Sequence, residues 1–197
     1  MKNILAQETT PKHLPVFPLP VFILPKGKAR LRIFEPKYLT MLSLISNHQC
    51  FVIQLTPSLP EMEGSNWGSL VKIQDFNQGD DGILEIDVLC NSLVHLSHVK
   101  QEENDLNYAQ ISPFTHWSQS KVDESMAYEV LAEALNSILD NNVMLNELYQ
   151  TRPLNNAHWV VARWIELLPL SITVKNLFVQ ADSFSSAKSF VDSIIHQ

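Results

Sequence analysis

Residues 14–38 read Leu14-Pro15-Val16-Phe17-Pro18-Leu19-Pro20-Val21-Phe22-Ile23-Leu24-Pro25-Lys26-Gly27-Lys28-Ala29-Arg30-Leu31-Arg32-Ile33-Phe34-Glu35-Pro36-Lys37-Tyr38. Prolines interrupt every potential helical turn before Glu35, because proline lacks an amide proton and restricts the residue before it to extended backbone. The bulky apolar side chains between them are too many to leave in water. The stretch is therefore expected to be extended and buried. At Ile33-Phe34-Glu35-Pro36 the pattern switches: Glu35 suits a helix cap or first turn, and Pro36 suits the first helical position.

Working outward, Tyr38, Leu39, Leu42 and Ile45 continue a helix from Pro36 to Ile45. Phe51 to Leu55 reads as a short buried strand ended by Pro57, and residues 56–66 as a loop closed by Gly64. Trp67 to Phe76 is a strand leading into an Asp81-Gly82 hairpin turn. Beyond it, Leu84, Ile86 and Val88 alternate with Glu85 and Asp87, the signature of a half-buried antiparallel strand from Ile83 to Cys90. Separate strands are expected at Leu93–Val99 and Tyr108–Phe114. About six short strands with tight turns favour a small closed or nearly closed barrel.

The second half reads as helical. A capping-box pattern at Ser120–Asp123 opens a helix with two apolar rows, Val122, Met126, Val130, Ala134, Ile138 and Ala127, Leu131, Leu135, Leu139. Asn141-Asn142 ends it. Further helices are expected over Met144–Tyr149, residues 156–168 (ended by Pro169), residues 172–180 capped by Ser171, and from Phe184 onward. The class is thus α+β: a β-rich subdomain over residues 1–118, with one helix, and a helical bundle over residues 119–197.

Composition narrows the function. With 45% hydrophobic and 18% charged residues the chain is ordinary globular material, and a net charge of −7 repels phosphate polymers at long range. Lys26, Lys28, Arg30, Arg32 and Lys37 form a local basic run against Glu35; it reads either as cations paired with acids elsewhere or as a patch for an anion or partner. Cys50 and Cys90 are too few for a disulfide framework and lack metal-ligand neighbours. The first ten residues lack the apolar core of a signal peptide, and no stretch reaches the about 18 apolar residues of a membrane span. A soluble, reduced, cytoplasmic setting is expected, with oligomeric state left open.

Motifs for catalysis are missing. The sole Gly-Lys pair, Gly27-Lys28, is followed by Ala29 and has no glycine five residues earlier, so no phosphate-binding loop forms. His95 and His98 are three apart, which on a regular strand points them to opposite faces; the other histidines are scattered. No serine sits in a Gly-x-Ser-x-Gly elbow, and the acidic pairs lie in polar loops. No cofactor, no metal and no enzymatic activity are expected; an enzyme with an unrecognised site is the minor alternative.

The one constellation is on the helix 156–168. At about 100° per residue, His158, Trp159, Arg163 and Glu166 fall within a stripe of roughly 140° on a helix otherwise apolar. Trp159 can stack under the Arg163 guanidinium, and Arg163 can pair with Glu166. Two readings stay open. The stripe is a polar seam against the β-rich half with Trp159 as a packing anchor, or a groove wall where an extended partner docks.

Three stretches resemble a known family: Leu14 to Tyr38, above all Arg32-Ile33-Phe34-Glu35-Pro36-Lys37-Tyr38; Gly68-Ser69-Leu70 through Asp75-Phe76 to Ile83-Leu84; and Trp159 through Arg163 to Glu166-Leu167-Leu168-Pro169-Leu170 and Lys175. In this order they resemble the substrate-binding N-terminal domain of Lon proteases. The resemblance implies a PUA-like barrel followed by a helical bundle, and a region that in Lon precedes an ATPase and a Ser-Lys protease and helps recognise unfolded or tagged substrates. The protease pattern Pro-Lys-Asp-Gly-Pro-Ser has no counterpart here. Lys26 interrupts the family's usual Phe-Pro-Gly. Function is thus expected to be that of a non-catalytic module for a polypeptide or unfolded protein, with Arg32, Tyr38, Trp67, Trp159 and Arg163 as candidate contacts. Glu35, Pro36, Glu166 and Pro169 take structural roles, with Glu35 capping its helix and Arg32 pairing with an acid. The alternative is RNA binding, since PUA-like barrels elsewhere bind RNA; the acidic balance disfavours it.

Overall fold

The structure, a computed structural model, describes residues 13–45, 50–56, 65–117 and 128–195. Six strands precede most of the helices: β1 (His13–Leu19), β2 (Lys28–Ile33), α1 (Pro36–Leu44), β3 (Cys50–Leu55), β4 (Trp67–Gln78), β5 (Leu84–Gln101) and β6 (Asn107–Pro113). Then come α2 (Tyr128–Asn141), α3 (Val143–Leu148), α4 (Ala157–Leu167), α5 (Ile172–Leu177) and α6 (Phe184–Ile195). The expected α+β division is present. Its expected boundary near residue 118, like the Ser120–Asp123 capping box and Gly64, lies outside the described residues.

The strands hydrogen-bond in the order β2-β5-β4-β3-β1-β6, and β5 also pairs with β6, so β1, β3, β4, β5 and β6 form a closed circuit. Each of those five strands contributes to one small apolar cluster, Leu14, Val16, Val52, Leu70, Val94 and Ala109, which is the inside of the circuit. The larger core lies outside it, between strands and helices, and takes Phe17, Phe51, Ile53 and Val71 from the opposite strand faces. Strands β1 and β3 are thus buried on both sides, and they pair in parallel, Val16 opposite Val52. Two-sided burial explains why both read as continuous apolar runs rather than alternating ones.

One expected break is absent. Cys90 and Leu93 belong to a single long strand, because a bulge absorbs Asn91: Leu70 pairs with Ser92 while Val71 pairs with Cys90. A bulge bends its strand without ending it. The first half of β5 lies between β2 and β4, and the second half between β4 and β6. A second irregularity falls between Ser97 and Lys100, where His98 adopts φ 52°. The strict alternation that would oppose His95 and His98 therefore does not run through it; the His95 ring lies tilted against Phe114, centroids 4.6 Å apart.

Helix α2 also differs from expectation. Leu131, Leu135 and Leu139 are buried with Ala132, and Ala134 packs against the same core, but Val130 and Ile138 of the other row are exposed; Val122, Met126 and Ala127 lie outside the described residues. Helix α1 begins as anticipated, with Pro36 in its first turn and Glu35 at the cap position. The Glu35 side chain makes no capping hydrogen bond, however; it pairs with Lys37 Nζ at 3.2 Å.

Candidate functional site

The proline-rich segment between β1 and β2 and helix α4 meet at a polar seam. Asn156 caps α4, its side chain accepting from the Trp159 amide at 2.9 Å. Eight of the next nine residues are buried, including Trp159 and, at 1% exposure, Arg163. The Arg163 guanidinium donates to both Glu166 carboxylate oxygens at 2.6 Å, and its Nη2 also approaches the carbonyls of Leu24 (3.3 Å) and Pro25 (3.4 Å). Glu166 Oε1 in turn accepts the Leu24 amide at 2.6 Å. The pair therefore grips the main chain of residues 24–25.

Burial pulls the Arg163 guanidinium toward losing its proton, but the Glu166 charge beside it prevails and holds it above its ordinary value. Burial pushes the Glu166 carboxyl up, while Arg163 and the Leu24 amide pull it back. Three N–H donors on its oxygens suit the ionised carboxylate. A buried ion pair is stabilised when its remaining valences are met; here one is left over, since the buried Arg163 Nη1 has no partner among the described residues.

The chain must turn sharply to reach the pair. Gly27 N donates to Leu24 O at 2.9 Å, closing a tight turn with Pro25 second and Lys26, at φ 65°, third. That third position favours glycine, and here it holds a lysine. Next, the Tyr149 hydroxyl, at the end of α3, accepts from the Lys28 amide (2.7 Å) and donates to the Lys28 carbonyl (3.3 Å). Tyr149 packs edge-on against Trp159 at 5.7 Å, and the Arg163 guanidinium lies 5.5 Å from the Trp159 ring. Sequence reasoning missed Tyr149, whose spacing marks it only as an apolar helix residue.

Of the five candidate contacts, the structure gathers Trp159 and Arg163 at this seam and places the others elsewhere. Tyr38 is buried and stacks on Phe17 at 3.8 Å. Trp67 is buried, its Nε1 donating to Asn176 Oδ1 at 3.3 Å. Only Arg32 has a largely exposed side chain, paired with Asp81 and, at 3.6 Å, with Glu85. Burial takes Tyr38, Trp67 and Arg163 into the core, whereas Trp159, itself buried, edges an open cleft beside Lys26 and His158. Pro169 follows α4 directly after its C-cap residue Leu168.

Four of the five cations of the basic run are held by acids or a carbonyl, and Lys26 edges a cleft. Lys28 Nζ donates to Leu148 O, Arg30 binds Asp87 and Glu147, and Lys37 binds Glu35. Two open clefts flank the seam, one of about 310 Å³ edged by Lys28, Asp75, Asp87 and Glu147, the other of about 200 Å³ between Pro25-Lys26, His116-Trp117 and His158. Both lie at or below the small end of ligand pockets. Among the described residues no group of three His, Cys, Asp or Glu side chains is placed to hold a metal.

At the second cleft the His116 Nδ1–H donates to the Val179 carbonyl at 2.8 Å, its ring stacks on Trp117, and its buried Nε2 has no partner. Burial above all, joined by the neighbouring His158 and Arg163 charges, lowers its pKa to about 4 against the Val179 bond. Unfolded, it titrates near 6.5. Between those values the unfolded chain binds the extra proton, so stability falls as pH drops from about 6.5 to 4, by about 3 kcal/mol in all. His158, lowered by burial and Lys26, adds loss of the same sign. Urea midpoints at pH 7.5, 6 and 5 should show a slope that is shallower in His116→Phe than in the wild type; equal slopes would refute the assignment.

A family model for the substrate-binding domain of the ATP-dependent protease La (Lon) matches residues 13–177. The chain belongs to this family. The Lon N-terminal domain protein from Xanthomonas campestris superposes with a TM-score of 0.65 at 25% identity, covering 92% of this chain and 97% of that one. The N-terminal domain of the Mycobacterium avium complex Lon protease gives 0.66 at 11% identity, covering 94% and 99%, and so shows the shared fold alone. Among curated proteins, none matches the sequence. The Lon-type seam described above therefore lies within the matched region, and no helix among the described residues is long and apolar enough to cross a membrane.

Proposed function

We propose that the chain is a non-catalytic Lon-type module that holds unfolded or tagged polypeptide segments in the cytoplasm, linked to substrate recognition in proteolysis. The observation that carries this is the match of a substrate-binding domain over residues 13–177. The chemistry agrees: the polar seam is spent on internal contacts, and the sequence has neither a phosphate-binding loop nor a nucleophile motif. Nucleic acid fits less well. Lys28, Arg30, Arg32 and Lys37 are already engaged, so the run offers little free charge to a phosphate backbone.

Immobilised protein should retain a reduced, carboxymethylated and thus permanently unfolded protein, and should let the same protein in its native form pass. Retention of neither, or nanomolar RNA binding with a steep salt dependence, would overturn the reading.

A further inference from the structure

We infer that the outer edge of β2, at Arg30 and Arg32, is a strand-addition site that captures an extended polypeptide through its backbone. The inference rests on the polypeptide-binding reading above and says how the segment is held.

Two independent observations set which way the β2 backbone faces. Cys90 donates its amide to Gly27 O and accepts from Lys26 N, so Cys90 turns both groups toward the start of β2. Antiparallel pairs alternate, so Val88, Ile86 and Leu84 face β2 as well, bonding their partners Ala29, Leu31 and Ile33. Lys28, Arg30 and Arg32 must then point their N–H and C=O groups away from β5. The Tyr149 hydroxyl confirms this at Lys28, where it meets both outward groups as a neighbouring strand would. At Arg30 and Arg32 no described residue does so. Their outward groups repeat about every 7 Å, the spacing of a strand, and only another extended backbone matches such a row.

The edge has a closed end and an apolar end. Tyr149 holds the outward groups of Lys28, and Phe34, 70% exposed, follows the strand. A second copy is the wrong occupant. Antiparallel pairing about Leu31 would set each Lys28, already held by Tyr149, opposite the other copy's Phe34 at the start of α1, so the helices of each copy stand in the way of the other. Arg30 and Arg32 are paired with Asp81, Glu85, Asp87 and Glu147 and select no charge, so the fitting occupant is a free extended segment with an apolar residue near Phe34. With Tyr149 closing one end and α1 beginning at the other, only a few ladder bonds can form, which suits brief, sequence-tolerant capture.

The test is amide exchange on the wild-type protein with two probes, the carboxymethylated unfolded protein and a capped peptide of alternating glutamate and valine. Each should slow exchange at Arg30 and Arg32. The peptide N-methylated at every residue, which has no free N–H on either edge, should not. Arg32→Pro removes an outward N–H and leaves the β5 ladder whole, so it should cut retention of the unfolded protein at least about tenfold. Arg32→Ala, which keeps the amide, should lie within about twofold to threefold of wild type. If wild type retains the unfolded protein but Arg32→Pro retains it as well as Arg32→Ala does, or if neither amide slows, strand addition is wrong while the function stands. If no unfolded chain is retained, both fail. Slowing that depends on protein concentration alone would assign the edge to a second copy and overturn the proposal.

Discussion

Replacing Glu166 by alanine lowers the unfolding free energy by about 3–5 kcal/mol, because it leaves the fully buried Arg163 guanidinium without its counter-charge. The loss has three parts on one site: the ion pair, the acceptor for the Leu24 amide, and the anchor of residues 24–25. Arg163→Met alone is also costly, since it strands the carboxylate. The double variant Arg163→Met with Glu166→Leu removes both charges together and recovers much of the loss, as paired apolar replacements of buried ions do. Urea unfolding of the four proteins closes a double-mutant cycle, and the expected coupling is above about 2 kcal/mol. Additive single effects would mean that the pair is solvated and the seam is not dry.

Gly27→Ala is the second large effect. A Cβ there would lie 2.5 Å from Glu166 Oε1 and 2.8 Å from both Arg163 Nη2 and Leu24 O. Flexible side chains usually swing away from such an intrusion. These cannot: the carboxylate is held by three donors and the guanidinium by the carboxylate, and the third atom is backbone. The expected cost is about 2–4 kcal/mol, in the range of overpacking made worse by a broken ion pair. Thermal melts decide it, and a variant within about 0.5 kcal/mol of wild type would show that the seam can open locally. Glycine is needed here for space, since its φ is not in the left-handed region.

How far the sequence carried the reader depends on which physics was local. Proline chemistry, Asp81-Gly82 and the alternation of Leu84, Ile86 and Val88 act within a few residues, and they marked the extended opening, the hairpin and the first half of β5. The start of α1 at Pro36 and the cap at Ser171 are local too. The bulge at Asn91 was hidden because a polar pair between two apolar runs looks the same whether the strand bends or stops. The parallel pairing of β1 with β3 depends on a crossover, which leaves no mark in either strand.

The site was legible in composition and not in exposure. Helical spacing brought Trp159, Arg163 and Glu166 onto one stripe, and the structure joins them as drawn. What spacing cannot say is which way the stripe faces. That was decided by the backbone of residues 24–25, about 140 positions away, offering an amide and carbonyls that only a buried ion pair could satisfy. Tyr149 was invisible for the same reason: its role is to a main-chain edge distant in sequence.

Arg163 and Glu166 hold Leu24 and Pro25 by atoms that every amino acid except proline shares, and of the two clamped residues only Leu24 must offer an amide. Such a clasp is blind to spelling. The letters it holds can drift as long as their bulk is kept, while the neighbour at Gly27 cannot add even a methyl group.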